Sequence, residues 1–159
     1  GEGLKTNLSH QTVFCKYNTG MSDWNNKPAL EVGYGDSASS PRTIFVCDKN
    51  NEYEQNRIGG CQVIKTDDMG YLMFYIGYRD IETACICVDK SDEGVTQWTR
   101  SCLNPLVSPQ INMWDADACY KPTAVWNEKE GKWMLWYNGR KDHDEFIGLA
   151  LSKKRNILN

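Results

Sequence analysis

Apolar residues along this chain come in short, alternating runs broken by clusters of Gly, Asp and Asn, the pattern of strands joined by tight turns. Cys61–Lys65 and Thr123–Asn127 are rich in β-branched and apolar residues and predict two equivalent first strands. Acidic residues and Gly at Thr66–Gly70 and Glu128–Gly131 suit hairpin turns. The aromatic and aliphatic alternation of Tyr71–Tyr75 and Lys132–Tyr137 predicts second strands that pack against neighbouring sheets, closed by Gly77 and Gly139. Third strands are expected at Ala84–Asp89 and Phe146–Ser152, with a fourth near Trp98–Arg100 in the first set only. Upstream the pattern is less regular. Strand-like Val13–Tyr17 and Thr43–Cys47 flank a Gly/Ser-rich segment, Gly33–Ser40, that reads as a loop.

The two sets are copies of one unit. A shift of 62 places Val63 on Val125, Tyr75 on Tyr137, Gly77 on Gly139 and Asp80 on Asp142 without a gap. Between these identities the chemistry is kept: Tyr71 with Trp133, Phe74 with Trp136, Arg79 with Lys141, Glu82 with Asp144. A period of about sixty exceeds that of helical solenoids and suits a four-stranded propeller blade with long connections. The chain then divides into a partial blade over residues 1–56, a blade over 57–109 and a blade lacking its last strand over 110–159, all within one all-β domain. An open arc leaves strand edges and apolar faces uncovered, so further repeat units or further copies of the chain are expected to close it.

Composition narrows the functional classes. Six Trp, eight Tyr and thirteen Gly, with few Ala and Leu runs, agree with strands and turns. A net charge of −3 from well-mixed residues gives no basic footprint for nucleic acid or an anionic membrane surface. The longest apolar run, around Ala84–Val88, is far short of a bilayer span. No leader is recognisable, so a secreted or periplasmic location is expected if one has been removed and a cytoplasmic one otherwise. Seven irregularly spaced cysteines carry no zinc spacing and read as buried or free thiols. No metal or other cofactor is expected.

Four motifs in order carry a resemblance: Trp114-Asp-Ala-Asp117, Lys121-Pro122, Gly131-Lys-Trp-Met-Leu-Trp-Tyr-Asn-Gly139 and Ile147-Gly-Leu-Ala-Leu-Ser152. The first copy, Tyr71–Gly77, Ala84–Lys90 and Trp98 through Asn104-Pro-Leu-Val-Ser-Pro109, follows the same order with a weaker third strand. Over residues 57–153 this resembles the blades of the arabinanase, β-xylosidase and β-fructosidase superfamily of five-bladed β-propeller glycoside hydrolases. The resemblance implies a partial five-bladed β-propeller of about two to two and a half four-stranded blades, and a protein that hydrolyses or binds oligo- or polysaccharide. Superfamily enzymes place an Asp beside the Pro opening a catalytic blade. Here the matching positions are Gly59-Gly60 and Lys121-Pro122, which leaves a non-catalytic carbohydrate-binding or assembly module as the alternative.

On that topology the loops between second and third strands share a face with the connections between blades. Arg79, Asp80 and Glu82, then Trp114, Asp115 and Asp117, then Arg140, Asp142, His143 and Asp144 are expected there. Glycoside cleavage needs one carboxylic acid to protonate the leaving oxygen and a second carboxylate to activate water or attack carbon. Asp115, Asp117 and Glu82 are the candidate catalytic acids, and the others candidate substrate contacts. Each also has a structural reading. The aspartates suit turns, Trp114 suits an inter-blade plug as well as a sugar platform, and His143 suits a solvated loop.

Overall fold

The computed structural model describes residues 12–16, 31–35 and 42–159. Strands β1 (Thr12–Lys16), β2 (Glu31–Gly35) and β3 (Arg42–Phe45) form an antiparallel sheet in that order. The first repeat contributes β4 (Arg57–Lys65), β5 (Tyr71–Tyr78), β6 (Ala84–Ser91) and the short β7 (Thr99–Arg100). The second contributes β8 (Ala118–Asn127), β9 (Lys132–Lys141) and β10 (Asp144–Leu151). These seven strands run β10-β9-β8-β6-β5-β4 with β7 on β6. The architecture is all-β, and the only helical turn among the described residues is the 3₁₀ turn Glu52–Glu54. No helix among them is long and apolar enough to cross a membrane.

The two halves of this sheet barely join through backbone pairing. Within each repeat the ladders are antiparallel and long, whereas β6 meets β8 through the single parallel pair Ala84 and Ala118. Local chemistry sets the hairpins. In the β4–β5 turn the Thr66 amide and hydroxyl both donate to the Gly70 carbonyl at 2.7 Å, and Gly70 takes φ +71°. At the β9–β10 hairpin Lys141 pairs with Asp144, so Asp142 and His143 are the whole connection. Asp142 takes φ 55°, a left-handed conformation that Asp tolerates better than most residues.

Register decides which faces meet. Phe74 lies opposite Val88 and Ile76 opposite Ile86, so with Leu72 they share one face of the first repeat; Met73 and Tyr75, opposite Asp89 and Cys87, share the other. The first face buries against Ala124, Trp133, Leu135 and Tyr137 of the second repeat, and the second against Ile58 and Phe45. Both faces of β5 are therefore covered, and its residues 72–76 are all buried. Each large side chain there contributes roughly 1.5–3 kcal/mol of burial. The far face of the second repeat is open, with Val125, Ile147, Leu149 and Leu151 exposed. Gln62 ties the repeats at their edge. Its side-chain amide donates to the Ala124 carbonyl at 3.3 Å and accepts from the Ala124 amide at 2.7 Å, joining positions one repeat apart.

The repeated glycines make room for the approach to each first strand. A Cβ on Gly77 would lie 2.4 Å from the Tyr53 carbonyl oxygen, and one on Gly139 would lie 2.2 Å from the Trp114 ring and 2.6 Å from the Asp115 Cβ. Residues 53 and 114–115 thus cross equivalent points of the two second strands. Three expectations change. Gly77 and Gly139 do not close their strands, which continue to Tyr78 and Lys141 because the ladders carry on past them, Tyr78 pairing with Arg57 and Ala84, Arg140 with Ala118 and Lys141 with Asp144. The first strands begin earlier than expected, at Arg57 and Ala118, since β-bulges at Gly59/Cys61 and Tyr120/Thr123 interrupt the alternation without ending the pairing. Residues 33–35 of the expected Gly/Ser-rich loop belong to β2, where pairing on both sides outweighs the poor strand propensity of Gly.

Candidate functional site

A cleft of about 700 Å³ opens where the β5–β6 loop, the segment 105–117 and the end of β9 converge. It brings together Arg79 and Glu82 from the first repeat with Asp117 and Arg140 from the second. Glu52, Tyr53, Pro105, Ser108, Pro109 and Ile111 complete much of the wall.

Each charged group has a partner. The Arg140 guanidinium donates to Glu82 through Oε2 at 3.0 Å and the carbonyl at 3.1 Å, and to the Asp142 carbonyl at 3.3 Å. Asp117 receives the Asp142 amide on Oδ2 at 2.5 Å, while its own amide donates to the Arg140 carbonyl at 2.9 Å. Arg79 stands 3.7 Å from Glu52 and 3.6 Å from Asp80. These last pairs are solvent-exposed and individually weak. Tyr53 is a different case. Burial, with Cys87 and Glu54 nearby, pushes its phenol up to about 12, so it enters the cleft as a neutral hydroxyl.

Other expected site residues lie outside the cleft lining. Asp80 caps the β5–β6 loop, its Oδ1 accepting the Glu82 and Thr83 amides at 2.9 and 2.8 Å. Partial burial acts to raise its carboxyl, but those amides and Arg79 outweigh it and hold the group below the usual carboxylate range. Asp142 and His143 form the β9–β10 hairpin tip, and Asp144 starts β10 exposed. Trp114 stacks on Tyr137 with ring centroids 5.6 Å apart and lies against Gly139 and Gly148, so it covers the second repeat's sheet. Asp115 is 4% exposed and accepts the Tyr137 hydroxyl on Oδ2 at 2.9 Å, with the Cys119 thiol 3.6 Å away. Burial, reinforced by this carboxylate, pushes both the Tyr137 phenol and the Cys119 thiol well up.

Sequence reasoning missed the walls from residues 52–53 and 105–111. The first precedes the repeat and carries no strand pattern. The second overlaps the Asn104–Pro109 motif and runs past it to Ile111, but nothing local says that it folds back along β6, with the Leu106 amide on the Ile86 carbonyl at 2.7 Å. The two bulges also converge. Gly59, Gly60, Lys121 and Pro122 line one groove of about 390 Å³, with Arg57, Tyr78 and Tyr120. At these positions the superfamily resemblance leads one to expect a carboxylate, and the groove instead holds Lys121, at φ 53°, with its ammonium 3.8 Å from Glu145. Among the described residues no three His, Cys, Asp or Glu side chains gather as metal ligands would.

No protein-family model matches the chain, and none of the curated proteins matches it in sequence. Solved structures do match. Zg3597, a family 117 glycoside hydrolase of the marine bacterium Zobellia galactanivorans, superposes with TM-score 0.63 at 16% identity, over 84% of this chain and 40% of its own. A second glycoside hydrolase gives 0.57 at 19%, over 82% of this chain and 38% of its own. An N-acetylgalactosamine deacetylase from F. plautii, solved with blood group B trisaccharide, gives 0.57 at 17%, over 77% and 41%. The chain therefore spans about two fifths of the length of these proteins, and over that span it shares a fold found in glycoside hydrolases.

Proposed function

We propose that this chain is part of a five-bladed β-propeller domain acting on carbohydrate, and that the cleft binds oligosaccharide with Asp117 and Glu82 as the carboxylates of glycoside hydrolysis. One observation carries the reading: both repeats send charged side chains into one cleft, Arg79 and Glu82 from the first and Asp117 and Arg140 from the second. The propeller is supported by the way one face of the first repeat packs on the opposite kind of face of the second, a stacking that repeats around a ring. It is supported too by the carbohydrate enzymes that share the fold. Further repeats or further copies of the chain close the ring.

In this reading Arg79 and Arg140 orient sugar hydroxyls, and Asp80, Asp142, His143 and Asp144 line the approach. One of Asp117 and Glu82 donates a proton to the leaving oxygen and the other activates water. Asp115 and Trp114 support the wall from beneath. A second reading, a non-catalytic binding module, draws on two observations. Asp117 and Glu82 already hold an amide and a guanidinium, and the bulges at Gly59-Gly60 and Lys121-Pro122 carry no acid. Calorimetric binding and turnover on a panel of arabino-, xylo-, manno- and fructo-oligosaccharides decide between them. Hydrolysis implies that Asp117→Asn and Glu82→Gln each lower kcat by about 100-fold or more while affinity stays within a few-fold. Binding without turnover selects the second reading, and neither binding nor turnover rejects both.

A further inference from the structure

The 3₁₀ turn Glu52–Glu54 supplies two residues of the cleft wall, Glu52 and Tyr53, yet its own anchor is buried elsewhere. Glu54 is 0% exposed, and the Arg100 guanidinium on β7 donates to it from Nε at 2.5 Å and Nη2 at 3.3 Å. Arg100 also donates to the Val46 carbonyl at 2.7 Å and sits 4.7 Å from the Phe45 ring, so one side chain fixes both the turn and the segment before it. Directly across the ladder from Arg100 is Asp89 on β6, also 0% exposed. Asp89 Oδ1 has the Asn104 side-chain amide at 3.4 Å, and Oδ2 has no partner. Two fully buried carboxylates thus stand beside one guanidinium, and a buried carboxylate without compensation is costly.

We propose that Arg100, Glu54 and Asp89 are positioning residues for the cleft: Arg100 holds the Glu52–Tyr53 wall in place through Glu54 while Asp89 is protonated, and is drawn away from Glu54 when Asp89 ionises. The proposal rests on the cleft being the ligand site. The titratable and charged groups around Asp89 are Arg100 from β7, Glu54 from the turn, Tyr75 from β5, Cys87 from its own strand and Tyr53. Arg100 is the one cation among them. Burial, opposed by Arg100 and reinforced by Glu54, pushes the Asp89 carboxyl up to about 7, which sets the window in which the exchange is felt. Beyond Arg100, the Asn51 side-chain amide donates to Glu54 at 2.9 Å, and Lys49 donates to the Gln55 and Asn56 carbonyls at 2.7 and 2.9 Å. The Asn56 amide donates to the Tyr78 carbonyl at 2.9 Å, so among the described residues Arg100 is the one charged group that holds Glu54 from another strand. The Tyr53 carbonyl rests over Gly77, and the Glu54 amide donates to Asn51 at 3.1 Å.

The test measures affinity for a bound oligosaccharide, and hydrogen exchange of the Glu54 amide, between pH 5.5 and 8.5. Wild type should lose affinity severalfold, and the protection of the Glu54 amide, taken relative to the intrinsic exchange rate at each pH, should fall severalfold as pH rises through 7. Asp89→Asn should hold the low-pH values throughout, and Glu54→Gln should show weak binding and low protection at every pH while melting as a folded protein. Identical pH profiles in wild type and Asp89→Asn overturn the proposal, as does a Glu54→Gln variant indistinguishable from wild type. If no sugar binds at any pH but the exchange profile behaves as described, the positioning network stands and the carbohydrate reading falls.

Discussion

Replacing Gly77 by Ala tests the inference that the repeated glycines exist to let the chain cross the second strand. The new methyl would stand 2.4 Å from the Tyr53 carbonyl oxygen and 3.4 Å from the Cys87 sulfur. The obstacle is backbone, and it is pinned on both sides: Glu54 is held by Arg100, and the Asn56 amide donates to the Tyr78 carbonyl at 2.9 Å. The turn cannot swing away without losing one of these bonds. Overpacking of this kind costs about 1–3 kcal/mol. For a chain of this size that lowers Tm by about 2–12 °C. Gly139→Ala meets the Trp114 ring and the Asp115 Cβ together and belongs at the upper end. Gly60→Ala is the control, because a Cβ there has nothing within 4 Å; the shorter list of unfolded conformations makes it neutral or stabilising by up to about 1 kcal/mol. Thermal unfolding followed by Trp fluorescence reads all three. If Gly77→Ala melts within a degree of Gly60→Ala, the crossing is not tight and the explanation of the repeated glycine fails.

Asp89 links stability to pH. Its folded carboxyl titrates near 7 against an ordinary value of 3.8, so the folded state binds the proton more tightly and stability contributed below 3.8 is lost as pH rises to about 7. The shift of about 3 pH units sets a ceiling of about 4 kcal/mol. Asp89→Asn should remove that slope in urea melts taken from pH 4 to pH 8, and an unchanged slope would show that another group carries it. Tyr137→Phe takes away the 2.9 Å donor of buried Asp115, whose Oδ1 already lacks a partner, and should cost about 1.5–3 kcal/mol. A loss below about 0.5 kcal/mol in the same melts would mean that water replaces the hydroxyl.

What the residues determine alone is what short-range chemistry can specify. Alternation of aromatic and aliphatic side chains marks β5 and β9 whatever surrounds them, Thr66, Gly70 and Gly131 mark hairpins through backbone conformations that few residues accept, and the shift of 62 reveals a unit used twice. That Arg79 and Glu82 come to the same cleft as Asp117 and Arg140 was legible in outline, since loops at the same point of two copies emerge on one side. Only the tertiary structure decided that Asp115 faces Tyr137 under the sheet while Asp117, two residues on, faces the cleft. Both are Asp in a loop; Gly139 leaves room for the Asp115 Cβ against its strand, while Asp117 is held by the Arg140 carbonyl and the Asp142 amide at that strand's end. The same holds for Glu52, Tyr53 and residues 105–111, whose place in the cleft depends on Arg100 and on pairing with β6. Those contacts span tens of residues, and no local pattern encodes an interaction whose partner lies so far along the chain.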